Sequence, residues 1–405
     1  MTKLETNKYK LLTFLRYLGD AFFYPFFSLY LKETNMVESR IGFILSISPI
    51  IAIIANPIYS YLCKDIIKTK KILNIITILE GIIIFIISFS TNFILISSLV
   101  FLMAIFGSCH YGLLDSLTTV YTTENKMSYS SVRVFGSISY ILGTTIGGYI
   151  IKFLNFRWAF GFACLLFILC GLIYALIKPI DLDTDNNKDI NNSIANDISD
   201  KNSKENRLII FKNIKFLGFA IFYAFLMSVT TSTDHFFSLY LESRDVNSDE
   251  YGLVYSYFVL FEVITIFILT KSKLKLSTES MLIISSFSLA IRLLCNCLYL
   301  PVIVIIIVSG LRGIGYAILL HVSFQYVVNI VGKKKGTFAI MMMTLFSQLL
   351  IALFENINGF IIEKHSYKLF YFVNFILAIA IVIFSIIRYF INRKNYNKLN
   401  TGDEL

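Results

Sequence analysis

The string FFSLYL occurs twice in this chain, as Phe26–Leu31 and as Phe236–Leu241. The copies start 236 minus 26, or 210, residues apart in a chain of 405. A glycine follows each copy at the same distance, Gly42 after the first and Gly252 after the second. Short aromatic strings recur easily by chance in a chain with 38 Phe and 24 Tyr, but the matching glycine favours duplication. The repeat therefore predicts two similar halves.

Composition places both halves in a membrane. Apolar residues make up 56% of the chain and charged residues only 15%, and mean hydropathy is +0.72. Apolar runs of about 20 residues between short polar stretches predict transmembrane helices. The runs are 10–31, 40–62, 72–90, 93–118, 131–152, 157–177, 213–241, 250–270, 278–299, 301–330, 336–362 and 367–391. The predicted fold class is an all-α integral membrane protein, with twelve transmembrane helices in two six-helix bundles related by a parallel pseudo-twofold repeat.

One long polar stretch divides the runs into six and six. Residues 178–212 are rich in Asn, Asp, Ser and Lys and contain no aromatic residue before Phe211, which predicts a flexible cytoplasmic linker. We therefore expect an N-terminal bundle at 1–177 and a C-terminal bundle at 213–405 that ends in a short cytoplasmic tail.

The net charge of +10 is explained by membrane topology. Most of the 36 Lys and Arg fall on segments that are cytoplasmic if the amino terminus is cytoplasmic. We therefore expect a multi-pass protein of the plasma membrane with both termini in the cytoplasm, and no nucleic-acid partner. The six cysteines lie in or beside apolar runs and indicate neither disulfides nor a metal site, and no cofactor is predicted.

Ten charged residues lie inside the predicted helices. The acids are Asp20, Glu80, Asp115, Asp234, Glu262 and Glu355, and the arginines are Arg16, Arg133, Arg292 and Arg312. A charge facing lipid near the midplane costs roughly 2.5–3.5 kcal/mol, so these groups must face one another or a water-filled cavity. Six acids exceed four arginines by two, and a desolvated carboxyl without a cation can exchange protons near neutrality. This pattern is typical of a proton-coupled carrier.

These charges also permit static roles. Arg16 and Asp20, four residues apart, fit either an interhelical clamp or a site. Glu80 and Arg292 fit packing or gating at least as well as a direct site. Asp115 and Arg133 flank a short loop, so antiparallel packing can bring them together along a substrate path. No role is assigned to Glu355 or His321.

The region around Arg133 resembles a known family. The stretch YSSVRVFGSISY, from Tyr129 to Tyr140, follows an acid 18 residues before Arg133. It resembles lactose permease-type transporters, in the oligosaccharide and nucleoside proton-symporter branch of the major facilitator superfamily. The resemblance implies that Asp115 and Arg133 bind solute hydroxyls and that Tyr140 stacks on the solute. The start GDAFFYPFFSLYL also matches, and we add its Asp20 to the substrate-binding set.

In the second half, the resemblance implies proton coupling through Asp234, Glu262 and Arg292. On the tenth predicted helix, the charged residues of lactose permease-type transporters are replaced, and the chain has Arg312 there instead. We expect Arg312 to be the new partner of Asp234 or Glu262.

The loop after the second predicted helix resembles the helix 2–3 signature of the superfamily. Its acid and its basic residues are kept, whereas the glycines and the first Arg are absent. We predict that Asp65, Lys70 and Lys71 form a conformational loop.

These observations predict a secondary active transporter and not an enzyme. We expect proton-coupled symport of a small polar solute, a sugar, glycoside or nucleoside, by alternating access. The expected partners are the solute, protons and the lipid bilayer, and we expect a monomer. Proton-driven export and uncoupled uniport stay open. A membrane-embedded transferase is a distant alternative, because His110 and Asp115 match the HxxxxD pattern of some acyltransferases.

Overall fold

The computed structural model describes residues 3–63, 66–177, 209–271 and 276–400, and all regular structure in these residues is helical. The helices of the first half are α1 (Lys3–Phe23), α2 (Phe27–Glu33), α3 (Glu38–Leu62), α4 (Ile66–Ile87), α5 (Phe93–Gly107), α6 (His110–Glu124), α7 (Ser130–Phe153) and α8 (Phe156–Leu176). Those of the second half are α9 (Ile214–His235), α10 (Phe237–Glu242), α11 (Ser248–Lys271), α12 (Thr278–Cys297), α13 (Val302–Val331), α14 (Lys333–Lys364) and α15 (Tyr367–Asn400).

The repeated string has the same local structure in both halves. Each copy begins at a break, after which the chain restarts as a short helix, α2 or α10. In the first half a 3-10 turn holds Pro25, which lacks the N–H that a continuous helix requires. The second half has the same break without a proline. There α9 ends at His235 and α10 begins at Phe237. The repeat therefore reflects equivalent positions in two similar bundles.

Membrane-spanning length and hydropathy agree with the predicted runs. In the described part of the chain, ten stretches are long and apolar enough to cross a membrane, with α5 and α6 together forming one of them. The other two predicted runs, 10–31 and 72–90, are occupied mainly by α1 and α4. These two helices carry Arg16, Asp20 and Glu80 together with several lysines, which lower their hydropathy.

The chain divides into two compact units. The first unit is Met1–Leu208 with Ser238–Ser256, and the second is Ile209–Phe237 with Tyr257–Leu405. In the first unit α1 packs against α7 and α8, and α8 packs against α4. In the second unit α9 packs against α14 and α15, and α15 packs against α12. Helices α1, α4, α7 and α8 of the first half thus pack in the same order as α9, α12, α14 and α15 of the second half. These are the first, third, fifth and sixth membrane helices of each half. Most of the predicted linker lies outside the described residues, and the division at 178–212 stays a prediction.

Polar and apolar side chains are arranged as a bilayer requires. Large apolar side chains are exposed along the helices; Ile54 and Ile307, for example, are each 61% exposed. By contrast, the ten charged side chains counted above are all buried or half-buried. The charges therefore face the protein interior.

Helices α7 and α11 cross at very short distance within the first unit. A Cβ atom at Gly148 would lie 2.5 Å from the carbonyl oxygen of Ser248, and one at Gly252 would lie even closer to that of Thr144. Only glycine fits at both positions. Three polar contacts flank this α7–α11 crossing: Ser256 Oγ to Thr144 Oγ1 (2.6 Å), Ser256 Oγ to Thr145 Oγ1 (2.7 Å) and Lys152 Nζ to Asp249 Oδ2 (2.8 Å).

Candidate functional site

A sealed ion cluster, consisting of Arg16, Asp20 and Glu80, joins α1 to α4. Two nitrogens of Arg16 donate to Glu80 at 2.6 and 3.0 Å, and one of them lies 3.1 Å from Asp20 Oδ1. All three side chains are 0% exposed. The Tyr111 hydroxyl donates to Asp20 Oδ2 at 2.6 Å, and the Tyr24 hydroxyl donates to Glu80 Oε1 at 3.0 Å. One guanidinium thus serves two carboxylates in a dry site.

The sealed cluster follows from local helix geometry and aromatic packing. Arg16 and Asp20 lie one turn apart on one face of α1. The guanidinium carbon lies 4.3 Å from the ring centre of Phe167 and 5.5 Å from that of Tyr111, in cation–π contact. The rings exclude water, so Asp20 is enclosed in the bundle core. Its predicted role in substrate binding stays a prediction.

The predicted binding residues Asp115 and Arg133 share a neighbour. The Tyr129 hydroxyl donates to Asp115 Oδ1 at 2.7 Å and also interacts with the Arg133 guanidinium. Burial and the adjacent Asp115 carboxylate raise the pKa of Tyr129 well above its usual value. The guanidinium of Arg133 lies 4.2 Å from the ring centre of Tyr17. Among the described residues no direct ion pair joins Arg133 to Asp115, so Tyr129 mediates the contact that sequence spacing suggested.

Aromatic rings connect these binding residues to the sealed cluster. The rings of Tyr17 and Tyr111 have centres 5.3 Å apart, and Tyr111 bonds Asp20. The ring of Tyr140 packs against Tyr255, with centres 5.9 Å apart. The first unit therefore contains a continuous series of aromatic and charged groups from Asp115 to Asp20. Their assignment as a substrate path stays a prediction.

The second unit brings together all four residues for which proton coupling was predicted. Arg292 NH1 lies 2.5 Å from Asp234 Oδ1, and Arg312 Nε lies 2.8 Å from Asp234 Oδ2. Arg312 NH1 also lies 3.1 Å from Glu262 Oε2. The contacts agree with the expectation that Arg312 pairs with Asp234 or Glu262. We call these four residues the bridged cluster, because Arg312 bridges two carboxylates.

A pocket borders the bridged cluster on α9, α12 and α13. Its polar lining includes Thr230, Ser285 and Tyr316 besides Arg292 and Arg312. The sequence analysis did not predict Thr230, Ser285 or Tyr316 as site residues, although their spacing along the helices indicates where they lie. Thr230 is four residues before Asp234, Ser285 is seven before Arg292, and Tyr316 is four after Arg312. Each uncharged polar residue thus shares a helix face with a charged member of the cluster.

A further pair in the second unit joins the half-exposed His235 to the buried Glu355. His235 Nδ1 lies 2.7 Å from Glu355 Oε1, and the Glu355 side chain is 0% exposed. This pairing gives Glu355 a partner that sequence reasoning did not name. His321 is half-buried.

The predicted conformational loop is described only in part. The Lys70 ammonium donates to the carbonyl oxygen of Ile177, and Lys71 is exposed. Asp65 lies outside the described residues. The role of the loop stays a prediction.

The HxxxxD motif has no catalytic geometry. His110 is 0% exposed, and its two ring nitrogens lie 3.2 Å from Thr77 Oγ1 and 3.3 Å from the Tyr174 hydroxyl. Both nitrogens are therefore engaged by core residues other than Asp115.

Comparison with known proteins identifies the family. The model of the MFS_1 like family matches residues 6–373. The sucrose permease of Escherichia coli is 23% identical over 402 residues, covering 94% of this chain and 92% of the permease. The lactose permease of Klebsiella oxytoca is 23% identical, covering 81% of this chain and 80% of that protein. The uncharacterized transporter YwbF of Bacillus subtilis (strain 168) is 26% identical over 61% of this chain, and that match spans 59% of its own length.

Solved structures share the fold. The nucleoside transporter NupG superposes with a TM-score of 0.77 at 14% identity, covering 94% of this chain and 98% of that one. A POT family transporter in complex with 5-aminolevulinic acid gives a TM-score of 0.67 at 12% identity, covering 96% and 95%. The similarity extends over both halves of the chain.

Proposed function

The chain belongs to the MFS_1 like family and is a transporter, as predicted, and we propose that it is a proton-coupled symporter of a small polar solute. A sugar, glycoside or nucleoside is the proposed solute, because relatives are named for sucrose and lactose and a structural neighbour for nucleosides. We further propose that it acts in the plasma membrane with both termini cytoplasmic.

The bridged cluster carries this proposal. Glu262 is 21% exposed in its side chain, against 9% for Asp234 and 12% for Arg312. When Glu262 takes up a proton, Arg312 keeps its bond to Asp234 and no buried arginine is left without a carboxylate. Glu262 is thus the acid whose protonation costs the cluster least. That property suits a group that loads and releases a proton during each transport cycle.

The proposed cycle assigns separate tasks to the two units. Asp115 and Arg133 offer charge-assisted hydrogen bonds to solute hydroxyls, and Tyr140 offers an aromatic face. Glu262 takes a proton from one side of the membrane and releases it when access changes to the other. Arg312 receives the ionised carboxylate again after release.

The proton site is tested by Glu262→Gln in proteoliposomes, with labelled lactose, sucrose and uridine as probes. We expect the variant to exchange solute across the membrane but to lose uphill accumulation, because glutamine cannot release a proton. Glu279→Gln is the matched control. That acid pairs with Arg388 at 3.1 Å in the same unit, outside the pocket lining, and its loss should leave accumulation intact. Uphill uptake by Glu262→Gln would contradict the assignment.

The solute contacts are tested by Asp115→Ala and Arg133→Ala. Each variant loses a charge-assisted hydrogen bond worth about 1.5–3 kcal/mol, so we expect binding to weaken by about tenfold or more. The control is Arg157→Ala, which removes an exposed arginine of the same unit. Binding of the transported probe is measured by calorimetry on purified protein. Equal affinities in the three variants would remove Asp115 and Arg133 from the binding site.

A further inference from the structure

Arg292 has an unused pair of hydrogen-bond donors. Its NH1 atom bonds Asp234, whereas Nε and NH2 are buried and have no acceptor among the described residues. The whole residue is only 1% exposed. Leaving a buried polar group unpaired costs about 1–3 kcal/mol, and more when the group is charged. The site therefore favours a ligand that supplies the missing acceptors.

The geometry of the unused donors selects the acceptor. The Nε–H and NH2 groups of arginine form one planar edge with two parallel N–H bonds, which matches the two oxygens of a carboxylate. Bonds from these donors to a carboxylate are charge-assisted on both sides and are stronger than bonds to a neutral hydroxyl. Two aromatic rings, Phe237 and Phe258, lie 5.1 and 5.6 Å from the guanidinium and restrict its rotation.

The adjacent pocket has the matching polarity. Of the four members of the bridged cluster, the two that line the pocket, Arg292 and Arg312, are both cations. Thr230 and Tyr316 add hydroxyl groups, and four leucines form apolar walls. This lining suits one negatively charged group beside an apolar one.

We propose that the pocket binds a carboxylate of the transported solute, so that the substrate is an acidic molecule such as a sugar acid. This inference rests on the proposed function, because it takes the ligand to be the transported solute. The carboxylate accepts from Nε and NH2 of Arg292, which keeps its NH1 bond to Asp234. Arg312 adds positive charge from the neighbouring turn of α13.

The test compares acids with neutral counterparts of the same shape. Purified protein is titrated with acetate and acetamide, glucuronate and its methyl ester, and benzoate and benzamide. We expect at least one acid to bind about tenfold more tightly than its neutral partner, as one bidentate charged contact allows. Arg292→Lys keeps the charge without the planar edge and should reduce this preference. Arg292→Gln should abolish it, whereas Arg388→Gln, which removes an arginine outside the pocket, should leave it unchanged.

Two results overturn the inference. The first is equal binding of acid and neutral partner in all three pairs by the unmodified protein. The second is an acid preference that is as large in Arg292→Lys as in the unmodified protein. Arg292→Lys is sufficient for this test if Arg292→Gln fails to fold. The two proposals fail separately. Uphill uptake of neutral lactose without acid preference removes only the carboxylate site. Arg292-dependent binding of an acid that is itself not accumulated uphill removes only the proposed symport.

Discussion

The sealed cluster of the first unit and the bridged cluster of the second occupy equivalent helices. In the first unit Arg16 on α1 pairs with Glu80 on α4, and in the second unit Asp234 on α9 pairs with Arg292 on α12. The signs of the charges are thus exchanged between the first and third membrane helices of the two halves. Both pairs connect the same two positions of a duplicated bundle.

The clusters differ in redundancy and access. The sealed cluster has one cation for two carboxylates and 0% exposure, so both ion pairs depend on Arg16. The bridged cluster has two cations for two carboxylates, with side-chain exposures up to 21%. Both halves therefore hold a buried ion pair, and in the second half Arg312 is a spare partner and a pocket borders the cluster. A cluster that must change its protonation needs such a reserve.

The largest expected effect comes from Arg16→Leu compared with Arg292→Leu. Removing one partner of a buried pair costs about 3–5 kcal/mol, because the remaining charge is left uncompensated. Arg16→Leu leaves two such charges, whereas Arg292→Leu leaves Asp234 bonded to Arg312. We expect thermal stability in detergent to fall much more for Arg16→Leu.

The control for this comparison removes the negative charges as well. Adding Asp20→Asn and Glu80→Gln to Arg16→Leu should restore much of the lost stability, since no buried charge is left. Equal stability losses for Arg16→Leu and Arg292→Leu would show that the spare partner in the second unit has no energetic value.

An intermediate effect is expected from Tyr111→Phe. The hydroxyl of the half-buried Tyr111 donates to the buried Asp20 at 2.6 Å, and hydrogen bonds to charged groups contribute about 1.5–3 kcal/mol. The melting temperature of the purified variant should therefore fall, but less than that of Arg16→Leu. Tyr257→Phe is the control, since that hydroxyl bonds an exposed backbone carbonyl at 3.3 Å. A loss no larger than in this control would mean that Asp20 is stabilised by Arg16 alone.

The smallest expected effect is on the pH dependence of stability and comes from Glu242, a carboxyl outside the membrane spans. Burial raises the pKa of Glu242, with a further increase from Glu33 and Glu38 that Lys32 partly offsets. A raised pKa means that the folded state retains the proton longer than the unfolded state. The stabilising contribution is therefore present at low pH and is lost as pH rises through the folded-state value.

Glu242→Gln should consequently stabilise the protein at neutral pH by less than about 1 kcal/mol and have no effect in acid. Melting curves across a pH series measure the difference, with the exposed Glu33→Gln as a companion variant. A constant difference at every pH would show that ionisation of Glu242 is not its cause.

The membrane helices were accessible from sequence because they depend on local properties. Ten of the twelve predicted runs are long and apolar enough to span a membrane, the other two are also helical, and the FFSLYL repeat lies at equivalent positions of the two halves. The bridged cluster was accessible through resemblance, which placed Asp234, Glu262 and Arg292 in one site. The expected pairing of Arg312 with Asp234 or Glu262 required only the rule that a buried arginine pairs with a carboxylate.

Pairings between distant positions were not accessible in the same way. Arg16 and Glu80 are 64 residues apart, and nothing in either helix indicates which of several acids faces the arginine. The spacing of Asp115 and Arg133 suggested direct contact, whereas the structure inserts Tyr129 between them. Such choices depend on helix rotation, which tertiary packing determines.

The α7–α11 crossing has a mechanical consequence. Because glycine backbones touch directly at Gly148 and Gly252, no layer of side chains can yield gradually when the helices are pulled apart. The hydroxyl contacts of Ser256 and the charged contact of Lys152 would then break over the same small displacement. The crossing therefore tolerates little separation before all of its polar contacts are lost, and a methyl group at Gly252 would force the two backbones apart.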